Sequence, residues 1–330
     1  MARFSIILPV KNGGAYAREC ISSILSQTVP GFELLILDNS SKDDLQDWIK
    51  QLNDSRIKLY PVASDLSIEQ NWKRILSVPR NEFMTIIGHD DLLHPGYLAA
   101  MEALIRQHPA ATLYQAHFNF IDGKGDIIRP CQPMPETITA ARFLEAEFDK
   151  TLDSMGTGYM MRSTDYDAVG GISPDYPNLM FADYELWMKL IMKGYMAVTK
   201  AICFSYRLHN NTSKHTNGEI YQQAFLRYAA FLVSCRESDS SVADVIRRKG
   251  AGFIYYFCQS LSHRLLRTPL QLRKTRVRDY VSKCAEAAKI LLPGISFHPY
   301  LRPGILAAWL LDNKAGLIVF GWYKKLRARQ

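Results

Sequence analysis

The chain has 330 residues, 48% hydrophobic and 22% charged, a balance that excludes a largely disordered protein and leaves room for one catalytic domain with an appendage, or two domains. The net charge of +8 is unevenly spread: residues 221–330 carry 19 Lys and Arg against 6 Asp and Glu, or +13, which leaves 21 against 26, or −5, for residues 1–220. The first part is mildly acidic, as a metal-using site is; the second has an anionic surface as its natural counterpart, and since no DNA- or RNA-binding motif accompanies the charge, nucleic acid is not expected.

The start, Met1-Ala2-Arg3-Phe4, runs straight into an apolar stretch without the cationic, apolar and cleavage regions of a signal peptide. Six cysteines lie scattered with no C-x-x-C spacing, which argues against a zinc site or a disulfide framework and for a reducing cytoplasm.

Ser5 to Val10 reads as a short apolar strand, followed by the loop Lys11-Asn12-Gly13-Gly14, which is able to approach a ligand closely. Tyr16, Cys20, Ile24 and Leu25 then share one helical face, and Phe32 to Leu37 forms a second strand ending in Asp38-Asn39-Ser40-Ser41. Strand, helix and strand at this spacing make a βαβ unit, so the strands are expected to be parallel and the crossover right-handed. A helix opened by Asp43 and Asp44, a strand over Ile57–Tyr60 and a helix over Ile68–Val78 follow. Next comes Phe83-Met84-Thr85-Ile86-Ile87-Gly88-His89-Asp90-Asp91, a buried strand that delivers two adjacent carboxylates at its C-terminal end, where open α/β sheets place ligands. Such a pair repels itself unless a divalent cation or cationic ligand sits between; the alternative is an Asp cap on the next helix, with Pro95 in its first turn.

Pro9-Val10-Lys11-Asn12, then Ile21-Ser22-Ser23-Ile24-Leu25-Ser26-Gln27-Thr28, then Glu33-Leu34-Leu35-Ile36-Leu37-Asp38-Asn39-Ser40-Ser41 resembles, in order and spacing, the opening of family 2 glycosyltransferases of the bacterial surface-polysaccharide and O-antigen type. The resemblance implies a GT-A fold: an α/β, Rossmann-like, mostly parallel central sheet with flanking helices. It also implies a nucleotide-sugar site, with Pro9, Val10 and Asn12 lining the nucleoside pocket, Asp38 accepting from the base, and Asn71, His89, Asp90 and Arg207 among the donor contacts. The family's strand usually ends Asp-x-Asp-Asp. Here it ends Gly88-His89-Asp90-Asp91, so Asp90 takes the position that holds Mn2+ or Mg2+ on the diphosphate, and the first Asp is missing. Phe181-Ala182-Asp183-Tyr184-Glu185-Leu186-Trp187 matches a second family segment, in which Asp183 is the general base, Glu185 has a supporting part, and Ala182 replaces an acid. Read by itself, the same segment is an N-cap with its first-turn acid on an amphipathic helix. Tyr206-Arg207-Leu208-His209 matches a segment that closes over the diphosphate, with Arg207 neutralising leaving-group charge and His209 a further metal ligand.

Between these motifs the pattern predicts a helix over Tyr97–Gln107, a strand over Thr112–His117, a hairpin over Phe118–Arg129, a Pro-rich connection at 131–138, and a helix over Thr139–Phe148. Strands over Gly156–Arg162 and Met196–Thr199 follow the same reasoning. Residues 1–220 are thus expected to form the glycosyltransferase domain and 221–330 a basic helical region, with helices over 221–235, 241–266 and 269–292. Residues 305–311 and 316–323 flank Asp312-Asn313-Lys314, an interruption that argues against a membrane span. With Trp309, Trp322, Tyr323 and the basic residues behind them, they read as an interfacial helix pair on an anionic leaflet, or else as a helical lid.

The function implied is metal-dependent, inverting hexosyl or deoxyhexosyl transfer from a nucleoside-diphosphate sugar to a glycan or polyprenyl-diphosphate-linked acceptor, by a peripheral protein at the cytoplasmic face of the inner membrane. The missing acids at Gly88 and Ala182 motivate the alternative of a catalytically degenerate, glycosyltransferase-like binding module. A nucleotidyltransferase lacks its basic, Gly-rich phosphate loop here, and a dehydrogenase lacks G-x-G-x-x-G after strand one.

Overall fold

The computed structural model describes residues 3–208 and 218–327, with the backbone alone for 321–327. The chain divides into two compact units, Met1–Asp175 with Ala182–Asn211, and Tyr176–Phe181 with Thr212–Gln330.

The first unit is built on a ten-stranded mixed sheet. Strands β1 (Phe4–Val10), β2 (Phe32–Asp38), β3 (Ile57–Leu59) and β4 (Phe83–Ile86) pair in parallel in the order β3-β2-β1-β4. Helices α1 (Gly14–Leu25), α2 (Leu45–Leu52) and α3 (Ile68–Lys73) make the crossovers. All seven residues of β1 are buried, as befits a central parallel strand covered on both faces. Ser67 starts α3 with a capping box, its Oγ accepting from the Gln70 N–H while Gln70 Oε1 accepts from its own N–H.

Past β4 the sheet continues through β9 (Tyr159–Arg162), which runs antiparallel to both β4 and β6 (Leu113–Ile121), then β10 (Met196–Arg207), parallel to β6, and β5 (Leu92–Leu93) at the edge. Two shorter strands complete it, β7 (Ile127–Pro130) on β6 and β8 (Thr137–Ile138) on β10. The expected hairpin is β6–β7, turning at Asp122–Gly125, and the strand expected over Met196–Thr199 runs on to Arg207 as β10, with its register shifted between Thr199 and Phe204. Helices α4 (Tyr97–Gln107), α5 (Ala140–Asp149), α6 (Ser163–Ala168) and α7 (Ala182–Met192) flank this half. All six cysteines are buried and none forms a disulfide.

The second unit is helical: α8 (Gly218–Ser238), α9 (Ser240–Leu265), α10 (Val277–Leu291), α11 (Pro303–Leu310) and α12 (Lys314–Arg327). Its core holds an aromatic cluster in which Phe181 stacks on Tyr228 at 5.5 Å and meets Phe257 edge-on, while Phe225 stacks on Phe257 at 4.8 Å. The helix expected to begin near 269 begins at Val277 instead. Residues Leu270–Leu272 form one 3-10 turn, and the Val277 N–H donates to buried Asp312. Asp312 also accepts from Arg276 Nε and lies 2.9 Å from Arg273 Nη2, so the acid that interrupts the apolar run is the tie holding the α11–α12 turn to α10. Among the described residues no helix is long and apolar enough to cross a membrane.

Candidate active site

The C-terminal edge of the parallel strands gathers the first group of expected residues. Val10 is the register partner of Asp38, and the Asn39 N–H donates to the Val10 carbonyl, so Pro9, Val10 and Asp38 are neighbours across β1 and β2. Asn12, at a φ of 50°, fastens the two loops: its N–H donates to Ser41 Oγ and its Oδ1 accepts from the Lys42 N–H. Asp38 is buried. Its Oδ2 accepts from Gln46 and from the Ser41 N–H, while its Oδ1 is buried without a hydrogen-bond partner. Asn71 is buried behind this edge, donating to the Leu37 carbonyl and accepting from Arg74, which donates in turn to the Asp38 carbonyl. Its amide thus ties the backbone of β2 to Arg74 behind Asp38.

β4 delivers the acidic pair beside this pocket. The Ile87 N–H donates to the Ile7 carbonyl, so the chain leaves the sheet next to β1, and the His89 ring comes against the first loop: a Cβ on Gly13 would lie 3.1 Å from His89 Cδ2 and 2.9 Å from Val10 Cγ2. Neither Asp caps a helix. Leu92–Leu93 returns to the sheet against β10, and α4 starts only at Tyr97 after Gly96.

The two carboxylates differ. Asp91 is buried, with Oδ1 accepting from the Arg207 N–H and Oδ2 from Thr157 Oγ1; burial, with Asp90 beside it, pushes its pKa well up. Asp90 is only half-buried. A Cβ on Gly88 would stand 2.8 Å from Asp90 Oδ1 and 3.0 Å from Asp91 Oδ2. The missing first Asp therefore leaves a space that the following carboxylates fill.

Arg207, expected at the diphosphate, sits against the acidic turn. Its side chain is buried: Nε donates to the Asp90 carbonyl, Nη1 to the Asp122 and Gly123 carbonyls and Nη2 to Glu19, with the guanidinium over the Tyr16 ring. These bonds occupy the fork and fix the backbone of the acidic turn. His209 lies outside the described residues.

Asp183 reaches the same region through the segment 155–159. Trp187, one turn along α7, donates Nε1 to the Met155 carbonyl and stacks on Tyr159 at 4.3 Å. That anchorage puts Asp183 beside Gly156, where a Cβ would lie 3.7 Å from its Oδ2, while the next residue, Thr157, binds Asp91. Burial raises the Asp183 pKa to about 6. Glu185 is buried on the other side of α7 and pairs with Lys189.

Three residues escape the sequence reading: Thr157, Glu19 and Tyr206. Tyr206 is half-buried, and burial together with the fields of Asp91, Asp90 and Asp183 raises its hydroxyl pKa, so this one phenol senses all three carboxylates. As a metal locus the edge fits one arrangement. Among the described residues no three His, Cys, Asp or Glu side chains cluster as a cage, so a cation on Asp90 would complete its shell with diphosphate oxygens and water. That shell suits Mg2+ or Mn2+, not structural zinc.

The mixed sheet, parallel over β3-β2-β1-β4 and flanked by helices, with an acidic turn at its carboxyl edge, is a GT-A-like fold by its likeness to solved structures. The sequence model named "Glycosyl transferase family 2" matches residues 5–170, and the chain belongs to that family. Staphylococcus aureus TarS (residues 1–349), solved also in complex with UDP-GlcNAc, superposes with a TM-score of 0.59 at 15% identity over 88% of this chain and 90% of its own. The mannosyltransferase PcManGT of Pyrobaculum calidifontis, in complex with GDP-Man and Mn2+, gives a TM-score of 0.50 at 14% identity over 99% and 88%. The Escherichia coli glucosyltransferase WfgD, named for transfer from UDP-Glc to GlcNAc-diphosphoundecaprenol, is 23% identical over 63% of this chain and 78% of its own. The chain spans about two fifths of the length of the first curated relatives it matches.

Proposed function

We propose that the protein transfers a sugar, hexosyl or deoxyhexosyl, from a nucleoside diphosphate to an acceptor hydroxyl with inversion at the anomeric carbon. One observation carries this reading: the segment 155–159 holds Asp91 through Thr157 and seats Asp183 beside Gly156, so the half-buried Asp90 and a carboxylate raised to about 6 share one edge. Pro9, Val10 and Asn12 line the nucleoside, and Asp38 Oδ1, buried without a partner, accepts from the base. Asp90 would hold Mn2+ or Mg2+, and the cation, when bound, would supply Lewis-acid charge at the leaving group. Asp183 takes the proton of the acceptor hydroxyl as that oxygen bonds to the anomeric carbon. On the opposite face the bond from the anomeric carbon to the diphosphate oxygen breaks, and its electron pair leaves on the diphosphate.

The acceptor is a glycan or a polyprenyl-diphosphate-linked glycan, and the place is the cytoplasmic face of the inner membrane during surface-polysaccharide assembly, as for an O-antigen. The relative WfgD, named for a lipid diphosphate acceptor, and the +13 charge of residues 221–330 support this setting.

A panel of nucleotide sugars, screened by thermal shift with and without Mn2+, tests the proposal. One donor is expected to raise the melting temperature with metal present, and to be slowly hydrolysed or transferred. Stabilisation without any metal-dependent turnover would assign the chain to the degenerate binding module instead.

A further inference from the structure

The helical unit exposes a surface that its own packing does not require. α11 buries Ile305 and Ala308 and turns Leu306, Trp309 and Leu310 outward, at the i, i+3, i+4 spacing of one helix face. Trp309 is 42% and Leu310 56% exposed, and Leu301 in the preceding turn is 78% exposed. Tyr300 meets Trp309 edge-on at 5.6 Å, so the ridge is continuous and carries two aromatic rings.

The ridge borders a basic cavity. Trp309 and Leu310 are walls of a hollow of about 510 Å³ whose other walls are Arg276, Arg278, Asp312 and Asn313. Asp312 is already matched by Arg273 and Arg276. Arg278 pairs with Asp279 at 3.3 Å, largely in solvent. The walls of the hollow therefore carry two guanidinium groups, Arg276 and Arg278, against the one carboxylate of Asp312, which Arg273 also neutralises from behind.

Apolar and aromatic side chains next to a cationic hollow match the two layers of a membrane surface, acyl boundary and anionic headgroups. A second copy of the chain is the poorer occupant. Isologous contact would set this basic rim against its own image, in a region with 19 Lys and Arg against 6 acids.

We propose that the Tyr300–Leu310 ridge and the Arg276–Arg278 hollow form a docking surface for an anionic phospholipid bilayer. A lipid phosphate enters the hollow, and Trp309 and Leu310 seat in the headgroup–acyl boundary. The inference deepens the membrane setting proposed above and rests on that reading, yet lipid binding needs no sugar transfer, so the two fail separately.

The test is flotation of the full chain with vesicles of phosphatidylcholine alone or with about one third phosphatidylglycerol, at low and high salt. The chain is expected to float with the anionic vesicles only, and to be released by salt. Leu301→Glu with Leu310→Glu, both at exposed positions, is expected to keep the parent melting temperature and to weaken binding at least about tenfold, and Arg278→Glu to weaken it about tenfold. Equal binding to both vesicle types, no flotation at low salt, or unchanged binding of the double variant overturns the proposal. So does a dimer in solution that Leu310→Glu dissociates while lipid binding stays absent, which would give the face to a second copy. Loss of donor turnover with lipid binding intact leaves the docking surface standing and removes only the catalytic reading.

Discussion

Asp183 makes two separable demands on a measurement. As the base it must be ionised, and its pKa is raised to about 6, chiefly by burial, so kcat is expected to fall about tenfold per pH unit below that value. Asp183→Asn is expected to lower kcat roughly 100-fold or more while leaving the donor-induced thermal shift in place. The stability sign runs the other way from a salt-bridged acid. A carboxyl whose pKa rises on folding binds its proton more tightly in the native state, so its stabilisation is complete at acid pH and is lost as pH climbs through about 6. Asp183→Asn is therefore expected to raise the unfolding free energy at pH 8 by about 1–2 kcal/mol after allowing for its partial exposure, with a higher melting temperature, and to change both little near pH 4. A variant that melts earlier at pH 8 would contradict the burial account. Thr157 gives a complementary case. Thr157→Val keeps the shape but leaves Asp91 Oδ2 without its donor, at a cost of about 1–3 kcal/mol that Thr157→Ser should restore, measured by denaturant unfolding.

At the scale of elements, the carboxyl edge of the sheet is held together by β10 as much as by the strands that carry the motifs. Arg207 joins Asp90, Asp91, Glu19 and the β6–β7 turn. Arg207→Lys keeps the charge yet cannot serve four acceptors in a plane, and is expected to cost about 2–4 kcal/mol in unfolding and to weaken metal-dependent donor binding, read by titration calorimetry. This role was not legible in the sequence. A Tyr-Arg pair at a strand end says nothing of which carbonyls lie under it, and here they come from residues some 85 and 117 positions away. What was legible was local: the alternation of apolar strand and amphipathic helix, the Gly-containing loop after β1, and the acids at strand ends. The departure at Gly88 read as a loss from sequence alone, because only the folded turn brings the Asp90 and Asp91 carboxylates against its Cα. The bonds of Asn71 to Leu37 and Arg74 were equally illegible, since their partners lie on β2 and on the turn after α3.

For the molecule as a whole, charge is divided: residues 1–220 carry −5 and residues 221–330 carry +13. The helical unit depends on a buried acid to bear that much basic charge. Asp312→Ala would remove the carboxylate 2.9 Å from the 0%-exposed Arg273 side chain and leave it facing Arg276, and is expected to cost about 3–5 kcal/mol and to unfold the α11–α12 turn, seen as loss of amide protection at 303–317. Asp312→Asn, which keeps the acceptor for the Val277 N–H, is expected to cost less.

The excursion Tyr176–Phe181 has a consequence for synthesis. Phe181 stands two residues before Asp183, and its ring partners, Tyr228 stacked and Phe257 edge-on, lie far downstream. A ribosome making this protein releases the whole sheet before the rings that seat Phe181 exist. The segment leading into α7 therefore waits for its aromatic partners until α9 has emerged, so this contact is among the non-local ones that form late in synthesis.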